Sequence, residues 1–206
     1  MADFTRVQIS VRLLLVAPIS ETAETILQAA RLAMAERGPG TLTMSAVAAV
    51  AGISRPTLYR WFPTKADLLA AVSAYEEVLF DIGLQVEIDA HRSPRRRLDA
   101  AIRYLVSYLD ESMIPDPISV DPVFALESIA RSLPPHVETL VRLLGDSLLE
   151  IPAVSQGILS KEQGAEMLLR LAYSHYLVPH SDPNELLAMV RKFAGISRRV
   201  RGLAAS

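Results

Sequence analysis

The stretch from Thr41 to Leu69, TLTMSAVAAVAGISRPTLYRWFPTKADLL, confines the fold more than any other part of the chain. Thr43 is placed to cap a short helix over Met44 to Ala51. Gly52 stands where a left-handed residue closes that helix, and Ile53 turns inward. Ser54 caps a second short helix, which tolerates Pro56 because a first-turn position needs no amide donor. Pro63 stops it, Thr64 caps a third, and Lys65 opens that third helix.

Helical geometry assigns the faces of the middle helix. At about 100° per residue, Leu58 and Phe62 share one side and should plug into a core made by Val47, Ala48, Ala51 and Ile53. Pro56 and Arg60 then point away from that core, Thr57 and Tyr59 flank them, and Arg55 and Trp61 sit nearer the rim. A proline, a threonine, a tyrosine and an arginine on the outer face of a two-turn helix suit a DNA major groove. Arg60 can donate to guanine O6 and N7, the Thr57 methyl can meet thymine, and Tyr59 can reach a phosphate. Lys65 brings an ammonium to a helix N-terminus, where it and the orphan amides can face a phosphate together. Thr43 and Ser45, at the start of the preceding helix, complete the expected contact set.

Upstream, Ser20 with Glu21 and Glu24 marks a helix start, and Ala23, Ile26, Leu27, Ala30 and Met34 recur on one apolar face before Gly38-Pro39-Gly40 ends the helix. Residues 1–19 form an expected N-terminal arm without stable order. Its apolar run, Val11 to Ala17, is broken by Arg12 and far shorter than the roughly 20 residues that span a bilayer. It also lacks the basic start, unbroken apolar centre and cleavage site of a signal peptide. An alternative role for the arm is to bring Arg6 and Arg12 to a minor groove.

Gly52-Ile53-Ser54, Thr57-Leu58-Tyr59, Phe62, Lys65 and Leu68-Leu69 together resemble the DNA-binding domain of the tetracycline-repressor (TetR) family of transcriptional regulators. The likeness covers roughly residues 20–70. Arg60 and Trp61 depart from the family's common pattern, which bears on the operator sequence. The resemblance implies an all-α homodimer. Each protomer would have a three-helix DNA-binding head at 20–70, a long helix joining it to a ligand-binding and dimerisation body over 71–206, and a dimer interface built from the last long helices. A double-stranded, palindromic operator is expected, because two half-sites double the contacts of one recognition helix.

The joining helix is expected from Lys65 to about Val86, with Ala66, Leu69, Val72, Leu79 and Ile82 on one stripe and Glu76-Glu77 on a wet face. Beyond Ser93-Pro94, Arg95-Arg96-Arg97 opens an amphipathic helix and reads as a solvated face in preference to a nucleic-acid patch. Further helices are expected over Val123 to Arg131, Pro135 to Glu150, Ser160 to Tyr176 and Pro183 to Ala194, with prolines as breaks. Between such helices an effector would meet a mostly apolar pocket, for which Tyr104, Tyr108, Met113, Phe124, Met167 and Tyr173 are the candidates by residue type. Leu168, Leu171, Leu186, Leu187 and Val190 are the expected dimer contacts, or else they fill a monomer core.

Composition narrows the chemistry. Half of the 206 residues are apolar, cysteine is absent, and the formal charge is -2. No thiolate site or disulfide is possible, and any DNA affinity must come from a local patch. His175 and His180 lie five apart with Pro179 between them, unlike helical metal ligands, so no metal and no cofactor are expected. No phosphate-cradling glycine loop, G-x-S-x-G elbow or HExxH occurs, which argues against an enzyme. The expectation is a cytoplasmic regulator without a membrane partner, a repressor released from its operator by a small lipophilic or acyl-type effector. A constitutive dimeric DNA-binding protein, or a helical enzyme or carrier with a vestigial head, are the competing readings.

Overall fold

The computed structural model describes residues 20–38, 40–112, 122–178 and 182–196, and every regular element among them is helical. The helices are α1 (Glu21–Arg37), α2 (Met44–Val50), α3 (Arg55–Trp61), α4 (Lys65–Asp89), α5 (Pro94–Ser112), α6 (Pro122–Leu144), α7 (Pro152–Ser155), α8 (Lys161–Leu177) and α9 (Pro183–Phe193), with a 3-10 segment at Gly145–Glu150. None of the described helices is long and apolar enough to cross a membrane. The expected N-terminal arm, Met113 and His180 lie outside the described residues.

The chain divides into two compact units, 1–82 with 112–132, and 83–111 with 133–206. The head within the first unit is built from local signals. Ser20, Thr43 and Ser54 each accept a hydrogen bond from the backbone amide three residues on, capping α1, α2 and α3. Between α2 and α3 the Gly52 amide bonds to the Ala49 carbonyl and the Ile53 amide to the Ala48 carbonyl. That pattern is a Schellman closure. It needs the positive φ of 66° at Gly52, where an added Cβ would meet open space. Gly52→Ala is therefore expected to cost about 1 kcal/mol through backbone strain alone, with no clash. Thermal unfolding checks this, and a neutral substitution would show that the turn relaxes.

Ile26, Leu27, Ala30, Leu42, Val47, Ala48, Leu58, Leu68, Val72 and Tyr75 form the buried centre of the head, with Ile53, Trp61, Phe62 and Leu79 packed against it. The buried side of α4 differs from the expected stripe: Leu68, Ala71, Val72 and Tyr75 face inward, whereas Ala66 and Ile82 are exposed. A stripe through Ala66 and Ile82 is rotated too far from the α1 contact. Glu76, expected on a wet face, pairs instead with Arg31 of α1, and Tyr75 donates from its hydroxyl to Glu24 at 3.2 Å. These two links fasten α1 to α4.

In the second unit, Arg97 lies against backbone and is not part of a solvated face. It reaches Asp89 at 3.2 Å and donates to the Leu143 carbonyl at 2.9 Å, which ties the start of α5 to the end of α4 and the end of α6. Asp99 accepts from Arg103 one turn on and from Arg191 of α9 at 2.6 and 3.1 Å. Gly83 leaves room for a neighbour: a Cβ there would lie 2.4 Å from the Tyr104 hydroxyl oxygen. This close approach accounts for glycine inside a helix, where it is otherwise unfavourable.

The largest departure from the expected elements is α6. It continues through Pro134 and Pro135, where two helices with a break were expected. Each proline removes an amide donor, but its φ is helical, and burial of Ala125, His136, Leu140 and Leu144 along α6 outweighs the lost bonds. The residues after Leu144 are 3-10 and not α-helix. His175 and Tyr176 lie in the last turn of α8 and are buried.

Candidate nucleic-acid interface

The caps and the Gly52 turn fix α3 so that Leu58 is fully buried, while Arg55, Pro56, Tyr59 and Arg60 are exposed, as the face arithmetic expects. Thr57 is half-buried, and its hydroxyl is shared with Ser54 Oγ at 2.8 Å, which leaves its methyl as the chemically free part of the side chain. Ser45 and Thr43 are exposed at the start of α2. Trp61 departs from expectation. It packs against the head core, and its indole nitrogen is buried with no partner among the described residues, so it supports α3 from behind and offers little to a groove.

Lys65 also differs in detail. Its ammonium donates to the Gly40 carbonyl at 3.2 Å, holding the α1–α2 connection. The Asp67 carboxylate accepts from the Thr64 amide at 3.0 Å and from its hydroxyl at 2.7 Å, while the Asp67 amide bonds back to Thr64 Oγ1. This is a capping box with aspartate in the third position. The N-terminus of α4 thus carries its own carboxylate beside Lys65, and a phosphate would meet both. Sequence reasoning missed Asp67; its spacing of three from Thr64 was the available signal.

Electrostatics favour an anion on this surface. From Gly40 to Ala66 the sequence holds three basic residues, Arg55, Arg60 and Lys65, and no acidic one, in a chain whose formal charge is -2. A local cationic strip on an otherwise acidic protein is the footprint required of a DNA-reading face.

Tyr104 and Tyr108 stack in a tilted pair at 5.5 Å on α5. Tyr173 is buried on α8 and shares a 2.7 Å hydrogen bond with Nδ1 of His136 on α6, a residue sequence reasoning passed over. Burial lowers the His136 pKa to about 4 and raises that of Tyr173, so both stay uncharged near neutral pH. Met167 is exposed, and Phe124 is half-buried in the first unit. Of the expected dimer contacts, Leu168, Leu186 and Val190 are buried within the single chain and have no surface to offer a partner. Leu171 and Leu187 remain half-buried, and Met167, Met189 and Phe193 are the exposed apolar side chains of α8 and α9.

Residues 26–72 match the profile described as bacterial regulatory proteins, tetR family. No curated protein matches the sequence. Among solved structures, a tetR-family transcriptional regulator from Rhodococcus sp. superposes with a TM-score of 0.64 at 21% identity, over 86% of this chain and 98% of that one. The fatty acid degradation regulator FadR from Bacillus halodurans gives 0.62 at 17% identity, over 85% and 95%. The tetR family repressor AlkX from Dietzia sp. strain DQ12-45-1b, implicated in biodegradation of n-alkanes, gives 0.55 at 22% identity, over 84% and 93%. The matched profile lies over the helix-turn-helix, so residues 26–72 form a tetR-type DNA-binding domain, and the chain as a whole shares the fold of these regulators.

Proposed function

We propose that the protein is a ligand-responsive repressor that binds a palindromic DNA operator as a homodimer and leaves it when a small lipophilic molecule occupies the body. The observation that carries the DNA half is the acid-free, cationic outer face of α3, held rigid by Ser54, Gly52 and buried Leu58. In this reading Arg60 reads a base edge from the major groove, Tyr59 and Lys65 hold phosphates, and Arg55, Pro56, Thr57, Ser45 and Thr43 line the contact.

Dimerisation rests on α8 and α9. Met167, Met189 and Phe193 supply exposed apolar area there, with Leu171 and Leu187 beside them. A two-fold pairing of this surface would present two recognition helices to half-sites about one helical turn or more apart. An effector acts by favouring a conformation in which the two heads no longer fit adjacent grooves. Its lipophilic character is supported by the apolar interior of the second unit and by two structural neighbours named for n-alkane and fatty acid degradation.

Binding-site selection from random duplex DNA tests this directly. Recovery of a palindrome is expected, and a folded protein that enriches no sequence would sink the reading. On the recovered site, Arg60→Ala should relax preference at one base position of each half-site by about 1 to 3 kcal/mol. Lys65→Ala should instead weaken all sequences alike and reduce the salt slope by about one. Equal losses on every sequence for both variants would remove Arg60 as the base reader.

A further inference from the structure

We propose that the buried His136–Tyr173 pair is the polar anchor of the effector site, and that it selects an uncharged lipophilic molecule bearing a hydroxyl group. The inference rests on the effector-responsive reading above and gives it a place and a ligand chemistry.

A histidine and a tyrosine hydroxyl enclosed in a helical core are expensive to desolvate, and two apolar side chains of similar shape would serve packing at least as well. His136 and Tyr173 are nonetheless only 6% and 4% exposed, one on α6 and one on α8. Their rings lie nearly parallel, tilted by 19°. Helical spacing sets Thr139 and Leu140 beside His136, and Leu169 and Tyr176 beside Tyr173, all of them buried. The surroundings are therefore mostly apolar with a small group of hydroxyls and one imidazole, the composition of a small-molecule site.

The 2.7 Å bond between the phenol oxygen and Nδ1 determines what else the pair can hold. If the phenol donates to Nδ1, its oxygen still accepts; if Nδ1–H donates to the phenol oxygen, the phenol proton is available to a ligand. An alcohol, which both donates and accepts, satisfies either tautomer. A carboxylate does not fit as well, since the burial that depresses the basicity of His136 also penalises an ionised group placed beside it. An ionised ligand would lose its hydration on entering this enclosed, mostly apolar site. Because the pair is enclosed, a ligand reaches it by parting α6 from α8, and that separation is the difference between two states that a regulator needs.

The test uses the full-length protein at pH 7.5 with three probes of equal chain length, 1-decanol, decanoate and decane, followed by titration calorimetry and thermal shift. 1-Decanol is expected to bind and to raise the melting temperature, with decanoate and decane each weaker by about tenfold or more. Tyr173→Phe, which keeps the ring and removes the hydroxyl, should weaken 1-decanol by a similar factor and leave decane unchanged. His136→Gln, a second and independent variant, should also weaken 1-decanol alone. Decanoate binding as tightly as 1-decanol, no binding of any probe, or 1-decanol affinity unaffected by both variants would each overturn the proposal. Operator binding separates it from the broader reading. Bound 1-decanol that leaves operator affinity unchanged keeps the site and removes the effector role. Operator release by decanoate alone, insensitive to both variants, keeps an effector and removes this site.

Discussion

Replacing Leu58 with alanine should unfold the DNA-binding head at a cost of about 3 to 4 kcal/mol, the largest loss expected from any single change in α3. Leu58 is fully buried in the head core, where large side chains such as Ile26, Leu68 and Tyr75 are interleaved with Ala30, Ala48 and Ala71. The loss joins the transfer term of the removed methyl and methylene groups to a term for the cavity left behind. The chain has one tryptophan, Trp61, which lies in this core and reports on the head alone. Denaturant unfolding followed by Trp61 fluorescence should therefore show the loss directly. Tyr59→Ala, one residue away but 42% exposed, should stay within about 0.5 kcal/mol of the parent while weakening DNA binding. If Leu58→Ala cost no more than Tyr59→Ala, the inward assignment of α3 would fail, and with it the outward face that carries the functional reading.

That contrast also marks what could be read from sequence. Ser20, Thr43, Ser54, Gly52 and Leu58 act over three to six residues, and their roles follow from spacing alone. The same holds for the outward set around Arg60. The failures lie where distant segments decide the outcome. Pro134-Pro135 reads as a break, yet α6 passes through it because buried side chains on either side hold it helical. Arg97 in a run of three arginines reads as a solvated charge, and only the fold brings the Leu143 carbonyl to it. Leu168, Leu186 and Val190 have the periodicity of an apolar face, but periodicity does not distinguish a face turned to the core from one turned to a partner. Trp61 fell on the rim by angle, and its size carries the ring back over the core. His136 gave no local signal at all, since its meaning comes from Tyr173, thirty-seven residues away.

The enclosure of His136 has a consequence for stability against acid. Burial lowers its pKa in the fold to about 4 from 6.5, so between those values the unfolded chain holds a proton that the native protein does not. Stability therefore rises with pH across this window. At pH 7 the native protein carries no penalty at this residue, and acidification from about 6.5 toward 4 removes on the order of 3 kcal/mol through this single group. Carboxylates such as Asp146, whose pKa is lowered by its bond to Lys161, also lose their stabilising charge on acidification, but at the lower end of the range. The two contributions are separated by His136→Gln, which cannot titrate. Denaturant unfolding of both proteins at intervals from pH 7 to 4.5 should give a steeper decline for the parent, with the difference accumulating between pH 6.5 and 4.5. The carboxylate part is common to both proteins and cancels. Parallel stability curves for the parent and His136→Gln would mean that water or an open conformation reaches the imidazole in the native state, and the pair would then not be the closed, uncharged anchor from which ligand selection is argued.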